Sequence, residues 1–136
     1  MNDCIFCKIV KKEIPCTKVY EDKNILAFLD ITPVNLGHVL VIPKQHFVNI
    51  YETPEDVLTD MIKASKIVSQ ALKSGIGADG INVTMNNEPA AGQVIFHAHI
   101  HIIPRISNDG FPLWHGKRAY QEGEMDEVAK KIISAL

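Results

Sequence analysis

Three histidines at alternate positions, His97, His99 and His101, stand in a run of otherwise apolar residues, Phe96-His97-Ala98-His99-Ile100-His101-Ile102-Ile103-Pro104. On a strand, residues i, i+2 and i+4 share one face, so the three imidazoles would project together about 6–7 Å apart. Ala98, Ile100 and Ile102 would then turn toward the core. Such a row admits three readings: a His-rich metal site, a nucleophile with helpers, or the polar outer face of a sheet. Neutral imidazole attacks phosphorus well near pH 7, because its unperturbed pKa is close to 6.5. A covalent phospho-imidazole divides one difficult displacement into two easier ones, and the middle histidine has a helper on each side. The chain carries no Walker A motif and no G-x-G-x-x-G, so the usual glycine-rich phosphate loops are absent.

A second constellation is the pair Cys4 and Cys7, spaced C-x-x-C. Two thiolates are half of a closed tetrahedral zinc site, and the other ligands must come from elsewhere. Six histidines are available: His38, His46, His97, His99, His101 and His115. His46, just past a strand end, and His97, at the head of the histidine run, could each reach the cysteines if the strands and the N-terminus lie side by side. Spacing does not choose among them. A competing arrangement puts His97, His99 and His101 on one catalytic zinc and leaves the cysteines unused. A thioredoxin-like redox pair would follow a strand inside a βαβ unit, and no strand precedes this one. Cys16, beside Pro15, reads as a structural or partly exposed thiol. Three cysteines do not make a closed disulfide framework.

The elements that must position these groups follow from periodicity and breakers. Ile5 to Val10 suits one or two helical turns that put Cys4 and Cys7 on one side. Thr17 to Tyr20, Ile25 to Leu29, Val39 to Ile42 and Ile81 to Met85 read as strands, with the histidine run as a fifth. The segment Asp30 to Gly37 is rich in turn formers, and strands joined by so short a loop pair antiparallel. The clearest helix begins near Thr53 as cap and Pro54 as first helical residue, with Glu55 and Asp56 complementing the dipole. Val57, Met61, Val68 and Leu72 keep its spacing, and Gly75 and Gly77 close it. Residues 105–123 are irregular, and Met125, Val128, Ala129, Ile132 and Ile133 mark an amphipathic helix over 124–136. The expectation is one α+β domain over 1–136, with about five mainly antiparallel strands, one long crossing helix and a C-terminal helix.

Composition is consistent with this. The 136 residues are 46% hydrophobic and 22% charged, with a formal net charge of -2. Those values are ordinary for a globular domain and give no electrostatic case for a nucleic-acid partner. No apolar run approaches a membrane span, and the first residues lack the basic and apolar regions of a secretory signal. A cytoplasmic protein is expected.

The stretch His97-Ala98-His99-Ile100-His101-Ile102-Ile103 resembles the H-φ-H-φ-H-φ-φ signature of the histidine triad (HIT) superfamily. Phe28-Leu29-Asp30-Ile31-Thr32-Pro33 is similar to that family's nucleoside-binding segment, and Gly37 to His46 to its next strand and loop. Asn86-Asn87-Glu88-Pro89-Ala90-Ala91-Gly92-Gln93 resembles its phosphate-side loop. The resemblance covers the chain up to Arg105 in the expected order, and the segment beyond matches far less.

The resemblance implies a HIT-like fold and nucleotide chemistry. His99 would be the nucleophile that accepts a nucleoside monophosphate, assisted by His101, His38 and Asn86, with Gln93 nearby. Asp30 would hold the ribose hydroxyls, a task a carboxylate can perform, and Phe28 and Ile31 would line the base pocket. Members with an N-terminal C-x-x-C bind a structural zinc through that pair and two histidines, which by matching position are Cys4, Cys7, His46 and His97. A homodimer is implied as well. Two features bear on substrate. Val94 stands where Hint-like members carry a hydroxyl residue, and Asn86 resembles the Hint-like branch, whereas the Fhit branch of dinucleoside polyphosphate hydrolases uses glutamine there. The resemblance therefore implies action on purine nucleoside phosphoramidates or related AMP derivatives. The alternatives are hydrolysis of dinucleoside polyphosphates and a nucleotide-binding regulator with little turnover.

Overall fold

The first helix, α1 (Ile5–Val10), is short, and just past its end Lys12 turns to a φ of 64°. Cys4 caps it through its sulfur, which accepts from the Cys7 amide at 3.5 Å. Phe6 and Ile9 are its buried residues. The C-x-x-C spacing therefore links the N-cap to the third helical position, which places both sulfurs beside the same turn. This computed structural model describes residues 3–114 and 116–136. His115, one of the six histidines weighed as ligands, lies outside the described residues.

Five strands follow, β1 (Lys18–Glu21), β2 (Ile25–Leu29), β3 (Val39–Pro43), β4 (Gly80–Thr84) and β5 (Ile100–Arg105). They form one antiparallel sheet in the order β1-β2-β3-β5-β4. The β2–β3 pair is in continuous register from Ile25 opposite Pro43 to Leu29 opposite Val39. Alternation along these strands sorts their apolar residues into two layers. Ile25, Ala27, Val39, Val41, Ile100 and Ile102 pack against the long helix α2 (Glu55–Gly75), through its buried Met61, Ala64, Val68 and Leu72. Leu26, Phe28, Leu40 and Ile42 pack on the other face against Phe6 and Ile9 of α1. The α+β architecture with one long helix and a C-terminal helix is the expected one.

Two local details differ from the sequence expectation. The N-cap of α2 is Pro54, not Thr53, and Glu55 is its first helical residue. The Thr53 hydroxyl instead donates to the Asn49 carbonyl at 2.7 Å, closing the preceding turn. Of the histidine run, only His101 lies within β5, which begins at Ile100. The backbone upstream bonds elsewhere: the Ala98 amide donates to the Phe47 carbonyl at 2.6 Å. The alternation persists without the ladder, since Ile100 and Ile102 pack in the layer under α2 while His97 and His99 lie against Phe6 on the opposite face.

The C-terminal helix α3 (Glu124–Ala135) has no buried residue, and Met125, Ile132 and Ile133 of its apolar stripe are exposed. Among the described residues, no helix is long and apolar enough to cross a membrane.

Candidate active site

The sheet face covered by α1 carries all the chemistry. At one end, Cys4, Cys7, His46 and His97 bring one ligand atom each within 4.8 Å of one another, a set that could hold a metal ion. The Nδ1 atom of His97 lies 3.5 Å from Cys4 Sγ and 3.6 Å from Cys7 Sγ, and His46 Nδ1 is 3.3 Å from Cys7 Sγ. Tetrahedral geometry with ordinary metal–thiolate and metal–imidazole lengths puts sulfur and nitrogen about 3.5 Å apart, so the donor set fits such a centre without rearrangement. The far side of His97 is also prepared: Nε2–H donates to the Pro43 carbonyl at 2.8 Å, which leaves Nδ1 as the lone-pair atom. Burial pushes the Cys7 thiol up, with Cys4 beside it acting in the same direction. Burial also pushes the His97 imidazole down to about 4. A divalent cation held there would be bound by thiolates and neutral imidazoles, with release of the thiol protons.

His99 faces different partners. Its Nδ1–H donates to the His97 carbonyl at 2.6 Å, so Nε2 is left as its lone-pair atom. Phe6 stands edge-on to the rings of His97, His99 and Phe28, with centroids 5.8, 5.3 and 5.6 Å away, and restrains both imidazoles. A metal site built on all three histidines is not what forms, because Nδ1 of His97 turns to the cysteines and Nδ1 of His99 to a carbonyl.

The other two imidazoles are linked in a chain. The Val34 amide donates to His38 Nδ1 at 3.1 Å, and His38 Nε2 lies 2.9 Å from His101 Nδ1. An amide can only donate, so neutral His38 must carry its proton on Nε2 and give it to His101 Nδ1. His101 then holds its own proton on Nε2. Asp30, His38 and His101 are close enough to be considered as a metal trio. With Nδ1 of His38 occupied by Val34, however, metal binding at Nε2 would require an imidazolate. The trio is better matched to proton and hydrogen-bond work.

A cavity of about 480 Å³ opens beside these groups. His99 and His101 line it, with Phe28, Asp30, Ile31, Asn86 and Val94, and apolar side chains of α1 complete the wall. Its volume is in the usual range for small-molecule sites. Asp30 Oδ1 accepts from the Thr32 amide at 2.9 Å and from its hydroxyl at 3.3 Å, which fixes the carboxylate while Oδ2 lies 3.7 Å from His38 Nε2. Gln93 is off the cavity wall and buried. Its Oε1 accepts from the Glu88 amide at 2.8 Å, and its Nε2 donates to the carbonyls of Val48 and Ile95. It braces the 86–93 loop, in which Glu88 takes a left-handed φ of 72°, and so acts on a ligand only through that loop. His38 is likewise buried behind His101.

Burial lowers all three histidines of this end. His101 is pushed down to about 4 by burial, with His99 and His38 adding repulsion and Asp30 opposing. Burial also lowers His38, again against Asp30, and His99, whose bond to the His97 carbonyl opposes it. The folded state thus favours the neutral forms that the hydrogen-bond chain requires. Because the His101 value lies below the unfolded one near 6.5, the unfolded chain binds more protons between the two. The contribution of His101 to stability is full above pH 6.5 and is lost as pH falls toward 4. Urea unfolding at successive pH values is expected to show this fall, and a His101→Asn variant a shallower one; equal slopes would refute it.

Several participants left no trace in residue type. Val34 contributes a backbone amide, and Phe6 is one apolar residue among many. Thr32 is the exception, since Asp-x-Thr signals a side-chain turn of the kind it forms.

The chain has clear relatives among known proteins. The model of the HIT domain matches residues 11–108. The adenylylsulfatase HINT3 of Arabidopsis thaliana is 43% identical over 136 residues, covering 99% of this chain and 68% of that protein. The adenosine 5'-monophosphoramidase hnt1 of Schizosaccharomyces pombe is 44% identical over 135 residues, covering 98% of both. Among solved structures, a HIT family protein from Bacillus subtilis superposes with a TM-score of 0.90 at 40% identity, covering 98% of this chain and 97% of that one. A zinc-bound histidine triad family protein from Mycobacterium smegmatis gives 0.78 at 34% identity, covering 99% of each.

Proposed function

This chain belongs to the HIT domain family, and on that premise we propose that it is a nucleotide hydrolase or transferase acting at the α-phosphate of purine nucleoside phosphoramidates or related AMP derivatives. The observation that carries the reading is the 2.6 Å contact between His99 Nδ1 and the His97 carbonyl. With Nδ1–H held by the His97 carbonyl, the Nε2 lone pair belongs to a cavity that also contains Asp30 and Asn86. The base lies between Phe28 and Ile31, and the ribose hydroxyls donate to Asp30.

His99 Nε2 attacks the α-phosphorus, a phosphorus–nitrogen bond forms to the imidazole, and the bond to the leaving amine breaks as the amine takes up a proton from solvent. His101 Nε2–H and the Asn86 amide stabilise the phosphoryl oxygens and the departing group. Water then attacks the same phosphorus and releases a proton to solvent, balancing the one taken up by the amine, and the bond to His99 breaks to give AMP and neutral imidazole. Val94 brings no hydroxyl to this end, so the leaving group meets an apolar side chain there.

Cys4, Cys7, His46 and His97 hold a structural zinc in this reading, supported by their S₂N₂ donor set and by the zinc-bound relative. When bound, the ion cross-links α1 to the loop after β3 and to the segment before β5. The free thiols suit a reducing compartment, here the cytoplasm. A second copy of the chain covers the apolar stripe of α3, giving a homodimer.

A panel of AMP-morpholidate, adenylylsulfate and diadenosine polyphosphate tests the activity. The amide is expected to be turned over at least about tenfold more efficiently than the dinucleotide, a ratio worth roughly 1.4 kcal/mol of transition-state binding. Preference for the dinucleotide would replace the phosphoramidase reading with the Fhit-like one. Tight AMP binding without turnover of any compound would make the protein a nucleotide-binding regulator.

A further inference from the structure

The loop between Asp30 and His38 is tied to a part of the molecule with no contact to the cavity, and the tie runs through one side chain. Asn35 Nδ2 donates to the Pro104 carbonyl and to Asp109 Oδ2, both at 3.0 Å. Asp109 is itself held from several directions. Arg105 clamps both its oxygens at 2.7 Å, and the amides of Ile106 and Phe111 add bonds at 3.3 and 3.1 Å. The Arg105 guanidinium also donates to Asn82 Oδ1 at 2.8 Å, anchoring the knot to β4. Paired this way, Asp109 is a fixed carboxylate rather than a mobile surface charge, and the guanidinium holds its carboxyl well below the usual range.

On the other side of Asn35 is the histidine chain. The Asn35 carbonyl accepts from the His38 amide at 3.1 Å, and the adjacent Val34 amide is the donor to His38 Nδ1. Gly37 closes the loop at a φ of +96°, where an added Cβ would stand 3.2 Å from Leu72 and 3.4 Å from Pro104. The loop is thus seated against β5 by a glycine at one point and an amide side chain at another.

We infer that Asn35 is a positioning residue: anchored by Asp109 and Arg105, it holds the Val34 amide on His38 and so fixes which nitrogen of His38 and of His101 carries the proton. The inference rests on the proposed reaction for its kinetic consequence and on the hydrogen-bond chain alone for its structural one. Without the anchor, the Val34 amide moves off Nδ1, His38 samples both tautomers, and His101 no longer presents a defined Nε2–H.

Asn35→Ala tests this in the substrate-free protein by ¹⁵N spectra of labelled imidazoles. Wild-type His38 is expected to show a protonated Nε2 and an unprotonated Nδ1, and the variant an averaged pair. With AMP-morpholidate, kcat is expected to fall about tenfold while KM changes by less than about twofold, the signature of a group serving the transition state. Asn35→Ser, whose shorter side chain reaches neither Pro104 nor Asp109, carries the test if the alanine variant does not fold. A folded variant with the wild-type His38 pattern overturns the inference. Failure of wild-type protein to process any AMP amide would overturn the proposed function instead, and the tautomer result would still decide the role of Asn35.

Discussion

Replacing His99 with alanine is expected to reduce turnover of an AMP amide by on the order of 10⁴-fold or more, because it removes the bond-forming atom and not a helper. The expectation follows from the division of labour among the imidazoles. His99 has its Nδ1–H committed to the His97 carbonyl, His97 is turned to the cysteines, and His101 Nδ1 is taken by His38. Nε2 of His99 is therefore the lone-pair nitrogen that this network leaves to the cavity. Rapid quenching of wild-type protein with substrate should reveal a nucleotidyl adduct whose mass maps to His99, and the alanine variant should show none. The matching change at His101 is expected to cost less, since a lost hydrogen-bond donor slows both half-reactions without removing the covalent route. Near wild-type turnover by His99→Ala, or an adduct on His101, would refute the assignment.

That division is implied in the sequence by the family resemblance and cannot be read from spacing alone. Alternation placed His97, His99 and His101 on one side of the chain and Ala98, Ile100 and Ile102 on the other, and packing follows that pattern: Ile100 and Ile102 join the layer under α2, while His97 and His99 meet Phe6 on the other face. Side-chain period survives in extended backbone even where the ladder does not, so beginning β5 only at Ile100 did not disturb it. What alternation could not convey is that His97 would meet sulfurs ninety residues away. That depends on Phe6 and Ile9 docking α1 on the sheet face formed by Leu26, Phe28, Leu40 and Ile42. Apolar residues in a six-residue helix do not announce which face they will cover.

The same holds for Asn35, which reads as one turn former among several yet is held by residues about seventy positions later. Gln93 belongs to the correct loop by resemblance, but only the placement of Val48, Ile95 and Glu88 around it makes it a brace. Thr53 shows the limit of a local rule. A hydroxyl with a competing carbonyl at 2.7 Å takes that partner, and the helix begins one residue later than the capping pattern suggests.

Loss of the metal centre is the second large effect expected, and it should appear as stability before chemistry. Cys7→Ser is expected to remove one equivalent of zinc per chain and several kcal/mol of stability, lowering Tm by on the order of 10 °C. The figure is smaller than the roughly 10–16 kcal/mol associated with zinc in finger peptides, because this chain has two apolar layers of its own. It is still large, because the four ligands come from three separate segments whose mutual placement the ion would fix. Cys7 is the informative position, since its sulfur lies near the Nδ1 atoms of both His46 and His97. Metal content by elemental analysis, read with thermal unfolding, checks the expectation, and Cys16→Ser, an exposed thiol outside the cluster, should keep its zinc. Because the His97 carbonyl also holds the His99 proton, kcat should fall in the folded fraction of Cys7→Ser, but by far less than in His99→Ala. His99→Ala in turn should retain a full complement of metal. A catalytic zinc would reverse that order, with chemistry gone and Tm unchanged when the ion is stripped, and full metal content in Cys7→Ser would remove the site altogether.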